Sequence, residues 1–326
     1  MPKKRQRENF LLICGFVLLW NSGFIGAEYG LPYAGPFSLL FVRYVALTFL
    51  VLTYLLIKRQ MQWSGWTAVW PQMLNGFLAH GVWLSCVLIA IDYGVPAGIV
   101  ALVVALQPLV TGALSGAVTG EHTPWNRWLG LLLGFAGVAV PVIPRVDFSD
   151  PADVFAWFIP LGSVLAITAA SLFQRRLNLK EEHPRMPVPL SLLYQSLATA
   201  LGMFLPALIF EGLSIQWNPA FVASLSWLVL VVSLGAYSLM WILIDRIDAT
   251  RVAALFYLGP PVTMVMAYLA FGDRVEPIDF IGLAFVSVGV VLTYVPYEGG
   301  SSSAGDPGGN SFSQNSDFAS AGKEIR

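Results

Sequence analysis

Two residues with strong chemical potential stand inside long apolar stretches of the chain. Arg43 lies about seven residues, roughly 10 Å by helical rise, from one end of its stretch. His80 lies near the middle of another stretch, and Trp83 follows one helical turn later, so the two share a face. Long apolar stretches of this kind are typical of helices that cross a membrane. An ionisable group deep inside such a helix faces a protein interior or a water-filled cavity rather than lipid. These residues therefore predict a polar site inside the membrane.

Arg43 and His80 each admit a structural and a functional interpretation. Arg43 either clamps carbonyl groups or an acid such as Glu28, or it contacts the carboxylate of a substrate. His80 is either neutral and bonded by a neighbouring helix, or it lines a cavity where it binds substrate or takes up a proton, because histidine titrates near neutral pH. Both alternatives stay open for both residues at this point.

Further candidates are aromatic and amide side chains within the same kind of stretch. Tyr237 and Trp241 are spaced i, i+4, and glutamines stand at positions 107 and 195. Such aromatic residues either pack in the core or lipid, or line a largely apolar pocket that contains a few polar groups. The glutamines either line that pocket or bond neighbouring helices. The candidate substrate-binding residues are Trp20, Asn21, Ser22, Arg43, His80, Trp83, Gln195, Tyr237, Trp241 and Tyr257.

Proline and glycine positions predict how the helices bend and pack. Pro108 and Pro260 lie halfway along their stretches, and each removes a backbone donor from the preceding turn. Prolines of this kind are either simple kinks or hinges, and their matching positions favour gating hinges. Glycines that recur every four residues predict close helix packing; they are Gly112, Gly116 and Gly120, and Gly130 and Gly134.

The elements that carry these residues are long apolar helices. Of the 326 residues, 56% are hydrophobic and 11% are charged, against roughly 25% charged in an ordinary soluble domain. Apolar runs of about twenty residues have the length that spans a hydrocarbon core, which predicts an all-α polytopic membrane protein. Ten transmembrane helices are predicted, at residues 10–28, 37–57, 70–91, 97–119, 127–143, 153–174, 188–210, 220–244, 250–271 and 278–297.

Lysine and arginine residues predict the orientation of these spans. With the N-terminus inside, fifteen of them fall in inner segments, while the outer loops hold Arg145 and Arg274. This bias predicts that both termini are cytoplasmic. The net charge of −1 provides no basic patch for nucleic acid.

The chain contains an internal repeat. The segment "AGIVALVVALQPL" (97–109) aligns with "ATRVAALFYLGPP" (249–261), and "PFSLLFVRYVAL" (36–47) aligns with "PLSLLYQSLATA" (189–200). Each half contains five predicted spans, an odd number, so the second half enters the membrane upside down. Inverted repeats build secondary transporters whose site lies near the midplane. In this alignment Ser196 matches Arg43, which favours a structural role for the arginine.

This arrangement predicts four regions along the chain. Residues 1–9 are a cytoplasmic N-terminus, 10–143 form the first half and 153–297 form the second half. Residues 298–326 are rich in Gly and Ser and lack apolar periodicity, which predicts a disordered cytoplasmic tail.

Several motifs occur in combination. They are "LLWNSGF" in the first span, "FSLLFVRYVAL" in the second, and a "VALxxxLxP" pattern in the fourth and ninth spans, each followed by an acidic residue (Glu121, Asp273). Together they resemble the EamA family of the drug/metabolite transporter (DMT) superfamily, over the chain up to about residue 297. The resemblance implies a carrier of the cell inner membrane, typically an exporter, of small metabolites such as amino acids.

The expected function is therefore secondary transport of a small metabolite, foremost an amino acid or related compound, by alternating access through a central cavity. Exporters of drugs or other metabolites, a channel and an intramembrane enzyme are the alternatives. The sequence has no HExxH, GxSxG, Walker-type or CxxC motif, and its three histidines are His80, His122 and His183. No enzyme activity, cofactor or metal is expected. The expected partners are a small-molecule substrate and membrane lipid, with the chain active as a monomer.

Overall fold

The computed structural model describes residues 3–119, 125–180, 186–247 and 255–294, which belong to one compact unit. Within these ranges the regular structure is helical, with an isolated antiparallel β-bridge between Ala34 and Ile215. The predicted tail at 298–326 lies outside the described residues, as do Glu121, His122 and His183.

The α-helices of the described ranges follow one another along the chain. They are α1 (Lys3–Gly30), α2 (Pro36–Ile57), α3 (Trp66–Gly76), α4 (Trp83–Asp92), α5 (Ala97–Val104), α6 (Gln107–Thr119), α7 (Trp125–Val142), α8 (Pro151–Lys180), α9 (Val188–Glu211), α10 (Pro219–Ser226), α11 (Tyr237–Ile247), α12 (Gly259–Phe271) and α13 (Pro277–Tyr294). Segments of π-helix join α3 to α4 (Phe77–Val82) and α10 to α11 (Trp227–Ala236). Short 3₁₀ turns lie at Leu31–Tyr33, Ile143–Arg145 and Phe256–Leu258.

Helix α1 is longer than the span predicted at 10–28. It begins at Lys3, because the polar segment "KKRQREN" consists largely of good helix formers and continues the helix beyond its apolar part. It ends at Gly30, just before Pro32 in the 3₁₀ turn, since proline cannot donate to the preceding helical turn. The residues predicted as an N-terminal extension are therefore partly helical.

Eight helical segments of the described chain are long and apolar enough to cross a membrane. They are Arg7–Tyr33, Pro36–Ile57, Trp66–Asp92, Ala97–Gly116, Trp125–Arg145, Pro151–Leu177, Val188–Glu211 and Pro219–Met240. Two further apolar helices, Phe256–Phe271 and Pro277–Leu292, are shorter. Each of these segments overlaps a predicted span, so the protein is a multi-pass membrane protein whose described regular structure is helical.

The fourth and ninth predicted spans are broken at matching places. Helix α5 ends at Val104 and α6 begins at Gln107, and Pro108 is unable to donate a hydrogen bond to the Val104 carbonyl. Likewise the 3₁₀ turn Phe256–Leu258 precedes α12, where Pro260 is unable to donate to the Phe256 carbonyl. Pro108 therefore stands at the start of α6, and Pro260 stands at the start of α12.

Spans at equivalent positions of the two halves pack against one another: the second with the seventh through α2 and α9, the fourth with the ninth through α5 and α12, and the fifth with the tenth through α7 and α13. The N-terminus of α2 is capped by a residue at the end of α9. The carboxylate of Glu211 accepts hydrogen bonds from the backbone N–H groups of Phe37 (2.9 Å) and Ser38 (2.7 Å). These two donors belong to the first turn of α2 and have no partner within their own helix.

Glycines allow the closest of these contacts, between α7 and α13. A Cβ atom added to Gly137 would lie 2.7 Å from the Gly282 carbonyl oxygen, and one added to Gly289 would lie 2.5 Å from the Gly130 carbonyl oxygen. Any larger residue would force the two backbones apart. The packing face expected at Gly130 and Gly134 is thus present. The expectation for Gly112 is wrong, because a Cβ there meets no atom within 4 Å.

Polar contacts fasten the α7–α13 pair at both ends. Arg145 Nη1 and Nη2 donate to the two oxygens of Asp279 at 2.6 Å and 3.1 Å. At the other end, Asn126 Nδ2 donates to the Leu292 carbonyl at 2.8 Å. Arg145 and Asp279 come from different halves of the chain, so this ion pair joins the halves.

Candidate functional site

A cavity of about 50 Å³ lies between α1, α2, the third span and the eighth span, large enough for a few water molecules. Its polar and aromatic lining residues are Trp20, Arg43, Tyr44, His80, Trp83 and Tyr237. The rest of the wall is apolar and consists of Gly23, Phe24, Ala27, Leu84, Val87, Leu88 and Val232. Within the described residues, no Asp or Glu lines this cavity.

Helical spacing explains how α1 and α4 form two of the walls. Trp20, Gly23, Phe24 and Ala27 follow at i, i+3, i+4 and i+7 and therefore lie on one face of α1. On α4, residues 83, 84, 87 and 88 follow at i, i+1, i+4 and i+5 and likewise lie on one side of the helix.

The two π-helical segments supply the remaining polar wall. His80 lies within the segment Phe77–Val82, and Tyr237 directly follows the segment Trp227–Ala236. A π-turn inserts one residue and so rotates the side chains beyond it, which is why such turns occur often at functional sites. The predicted shared face of His80 and Trp83 is observed, since both residues line the cavity.

His80 is buried and bonded at both ring nitrogens. Its Nε2 lies 3.3 Å from Gln195 Oε1, and its Nδ1 lies 3.4 Å from the Tyr237 hydroxyl. The Gln195 amide nitrogen donates to Gln72 Oε1 at 3.0 Å and to Ser191 Oγ at 3.2 Å, so the amide oxygen is directed at the histidine. His80 Nε2–H therefore donates to Gln195, and Nδ1 accepts from Tyr237, as in a neutral imidazole.

Arg43 is 6% exposed. Its Nε and Nη2 atoms both donate to the Ser233 hydroxyl, at 3.3 Å and 3.0 Å, and its Cζ lies 5.7 Å from the centre of the Tyr44 ring. Neither the carbonyl clamp nor the Glu28 pairing considered from the sequence is present among these contacts. Among the described residues Arg43 forms no ion pair, in contrast to Arg145 and Arg246.

Aromatic rings cluster beside the cavity. The Trp20 ring centre lies 5.1 Å from that of Tyr237 and 4.9 Å from that of Phe256, in an edge-to-face arrangement with the latter. Phe16, one turn earlier on α1, contacts both Trp20 (5.7 Å) and Phe256 (5.4 Å). These four rings therefore form one cluster of aromatic contacts that adjoins the cavity at Trp20 and Tyr237.

Asn21 and Ser22 lie away from the cavity lining. Asn21 is 3% exposed; its Nδ2 donates to the Val17 carbonyl at 2.7 Å, and its Oδ1 accepts from Thr263 Oγ1 at 3.1 Å. Ser22 donates to the Leu19 carbonyl at 2.7 Å and accepts from Trp227 Nε1 at 3.0 Å. Their polar groups are thus satisfied by protein, and a contact with substrate stays a prediction for both.

The other candidates occupy varied positions. Gln195 reaches the cavity only through His80, and Tyr257 lies in the 3₁₀ turn before α12, packed against the core. Trp241 lies on α11, but its side chain is outside the described part of the structure. Gln107 Nε2 lies 3.5 Å from the Thr111 and Ser171 hydroxyls, beside the break in the fourth span.

Sequence reasoning missed Tyr44, Ser233 and Phe256. Tyr44 directly follows Arg43, but neighbouring residues on a helix do not usually share a face, so spacing gave no signal. Ser233 and Phe256 contact residues of the first half about 190 and 240 positions away. In the described ranges, no group of three or more His, Cys, Asp or Glu side chains is arranged to hold a metal ion.

The sequence and the fold match known proteins over most of their length. The model of the EamA-like transporter family matches residues 9–143 and 154–295. The chain is 22% identical to a "Probable amino-acid metabolite efflux pump" of Escherichia coli (strain K12), over 88% of this chain and 94% of the relative. It is 25% identical to an "Uncharacterized transporter" of Archaeoglobus fulgidus, over 88% of this chain and 97% of the relative. A solved crystal structure shares the fold, with a TM-score of 0.60 at 19% identity over 88% of this chain and 97% of that chain.

Proposed function

Because the chain belongs to the EamA-like transporter family, we propose that it is a secondary transporter that exports a small metabolite across the cytoplasmic membrane. The observation that carries the proposal is the match of the family model to both halves of the chain. Its relatives are likewise named as transporters or efflux pumps, which supports a transport function over an enzymatic one.

We propose ten membrane spans arranged as two inverted five-helix repeats. Equivalent spans contact one another across the halves (the second with the seventh, the fourth with the ninth, the fifth with the tenth), which is compatible with an approximate two-fold relationship. Equivalent spans also share their irregularities, since π-segments occur in the third and eighth and breaks occur in the fourth and ninth. The positive charges of the inner segments support cytoplasmic termini.

The cavity is the proposed substrate site. It lies between helices of both halves, is mostly apolar, and contains a small number of polar groups, as sites for small molecules do. Alternating access then requires the halves to rock about this site. In that motion the contacts of His80 with Gln195 and Tyr237 change, because they connect the first half to the second.

The ring cluster of Phe16, Trp20, Tyr237 and Phe256 is the proposed inner gate. With the N-terminus cytoplasmic, these rings lie on the inner side of the cavity and block exit in this direction. Phe256 directly precedes the half-helix that begins near Pro260. A movement of this half-helix would therefore displace a gate residue, which gives the proline a role as a hinge.

An amino acid or related compound is the proposed substrate. The printed names of relatives from Escherichia coli and Salmonella typhimurium refer to amino-acid metabolite efflux at 22% identity. The cavity supports this choice, since it combines a cation, a histidine and aromatic rings with an apolar wall. A substrate gradient is the proposed driving force, because no acidic residue lines the cavity within the described chain.

Uptake into proteoliposomes tests the proposal. The purified protein is reconstituted, and the initial uptake rates of labelled amino acids and related metabolites are measured over a range of concentrations. Saturable uptake that unlabelled substrate inhibits is the expected result. A rate that rises linearly with concentration would indicate a channel, and chemical conversion without translocation would indicate an enzyme.

A further inference from the structure

We infer that the transported compound carries a carboxylate, which Arg43 binds, and that its remaining part is apolar and needs no ammonium group. This inference rests on the proposed function and specifies the substrate class of the same cavity.

The charge of Arg43 is not compensated by the protein. The guanidinium has five N–H donors, of which the two groups named above bond a single uncharged hydroxyl, that of Ser233. Within the described residues no carboxylate contacts it. The Tyr44 ring gives only a weak cation–π contact, with 5.7 Å from Cζ to the ring centre. An unpaired charge at this depth is costly unless a ligand provides the counter-charge.

Two other arginines of the described residues form ion pairs with acidic side chains, which Arg43 does not. Arg145 bonds both oxygens of Asp279, and Arg246 lies 3.5 Å from a Glu8 oxygen. Arg127 resembles Arg43 in bonding a serine hydroxyl, that of Ser115 at 3.0 Å, but it also contacts the Gly112 carbonyl and lies outside the cavity. Arg43 therefore combines an unpaired charge with access to an internal cavity.

A second donor is unused in the same cavity. The Nε1–H group of Trp83 is buried and has no hydrogen-bond acceptor in the described part of the chain. His80 and Tyr237, by contrast, are bonded to each other. The lining thus contains an uncompensated positive charge at Arg43 and an unused donor at Trp83, and a carboxylate provides acceptor oxygens for both.

The rest of the cavity determines the body of the substrate. No acidic side chain lines it in the described residues, so no carboxylate balances the charge of a cationic ligand, and Arg43 repels one. The apolar wall formed by Phe24, Leu84, Val87 and Val232 offers no partner for additional polar groups. An amphipathic monocarboxylate matches this lining, and a zwitterion is accepted only through its carboxylate.

Four compounds with one aromatic body separate the two charges. N-acetylphenylalanine has the carboxylate only, phenylalanine has both charges, phenylalaninamide has the ammonium only, and N-acetylphenylalaninamide has neither. Binding to the purified protein is measured by quenching of tryptophan fluorescence and by thermal shift. The two acids are expected to bind and the two amides are not. Equal binding of acids and amides would overturn the inference.

Two variants distinguish binding by Arg43 from a structural role. Arg43→Gln is expected to weaken binding of N-acetylphenylalanine by about tenfold or more, since a charge-assisted hydrogen bond is lost. Ser233→Ala removes the protein partner of Arg43 but keeps its charge, so binding is expected to change by less than about threefold. If Arg43 only fastened α2 to Ser233, both variants would have the same effect, which would contradict the inference.

Arg43→Lys keeps the experiment decisive if the glutamine variant does not fold. Lysine retains the charge but not the planar fork, so this variant is expected to bind the acids with intermediate affinity and still reject the amides. Arg127→Gln is the matched control and is expected to bind the acids like the wild type.

Uptake of the same four compounds separates this inference from the proposed function. Saturable uptake of the amides together with the acids would contradict the carboxylate requirement and leave the transporter proposal intact. If neither these compounds nor other metabolites gave saturable uptake, the transporter proposal itself would fail.

Discussion

The Tyr237 hydroxyl lies 3.4 Å from Nδ1 of His80, and the two residues belong to opposite halves of the chain. Gln195, which bonds the other ring nitrogen at 3.3 Å, also belongs to the second half. His80 is therefore a residue of the first half that is held from two sides by the second. In the proposed rocking of the halves these bonds change, so we expect them to couple the state of the cavity to the arrangement of the halves.

Replacement of His80 tests this coupling. His80→Ala removes both hydrogen bonds and opens the cavity wall, and we expect substrate uptake to fall by about fivefold or more at unchanged expression. Tyr237→Phe keeps the ring contact with Trp20 but removes the hydroxyl, so a smaller reduction of about threefold is expected. Initial uptake rates in proteoliposomes at several substrate concentrations provide the measurement.

Ser85→Ala is the matched control for these variants. Ser85 follows His80 by five residues, is buried, and bonds the Met203 sulfur at 3.2 Å, outside the cavity lining. Its replacement is expected to leave uptake unchanged. Wild-type transport by His80→Ala would show that the histidine is only a packing residue.

The broken helices make a prediction about rates. Pro108→Ala and Pro260→Ala restore the backbone donors that face the Val104 and Phe256 carbonyls, and they favour continuous helices. We expect several-fold slower exchange of substrate with little change in its affinity, because the hinge stiffens while the cavity lining is retained. Exchange rates in proteoliposomes and binding in detergent measure the two quantities.

Pro206→Ala provides the comparison for the hinge variants. Pro206 lies inside α9, which is continuous from Val188 to Glu211. This variant is expected to exchange substrate at the wild-type rate. An equal loss of rate in all three variants would show that the effect does not depend on the breaks.

The close contact of α7 and α13 makes a prediction about stability. A side chain at Gly282 would collide with the Gly137 carbonyl oxygen and with Pro141. We expect Gly282→Val to reduce the free energy of unfolding by about 1–3 kcal/mol or more, as overpacking does. Gly112→Ala, where no atom lies within 4 Å, is expected to be neutral or stabilising by up to about 1 kcal/mol. Unfolding in detergent, followed by circular dichroism, compares the variants.

The ion pair between Arg145 and Asp279 makes a second prediction about stability. The Asp279 side chain is 3% exposed, so Arg145→Ala leaves a buried carboxylate unpaired and is expected to cost about 3 kcal/mol. Glu276 also contacts Arg145, at 3.5 Å, but its side chain is 58% exposed. Glu276→Gln is therefore expected to have an effect near zero. Similar losses in both variants would refute the assignment of the buried pair as the stabilising contact.

The broken spans show which irregularities of the helices can be predicted from the sequence. The places of the breaks follow from Pro108 and Pro260, since a missing N–H is a local property of the residue. The π-segments at Phe77–Val82 and Trp227–Ala236 have no such local cause in the sequence. They decide how His80 and Tyr237 are turned, so this part of the site was not predictable.

The class of the protein, the places of its apolar helices and the similarity of its two halves were determined by the sequence alone. Those features depend on apolar length, on charge bias and on repeated motifs, all of which can be read along one chain. The same reasoning selected Trp20, Arg43, His80, Trp83 and Tyr237, which the structure brings together at one cavity.

Only the tertiary structure decided which face of each helix meets the cavity. Membrane helices are apolar on their lipid side and on their packed side, so hydropathy does not distinguish the two. Asn21 was expected at the cavity beside Trp20, yet a bond to Thr263, more than 200 residues away, holds it against α12. Likewise, the pairing of Arg43 with Ser233 instead of an acid depends on how the two halves fit together. Partners of this kind are fixed by packing between distant segments, and no local pattern encodes them.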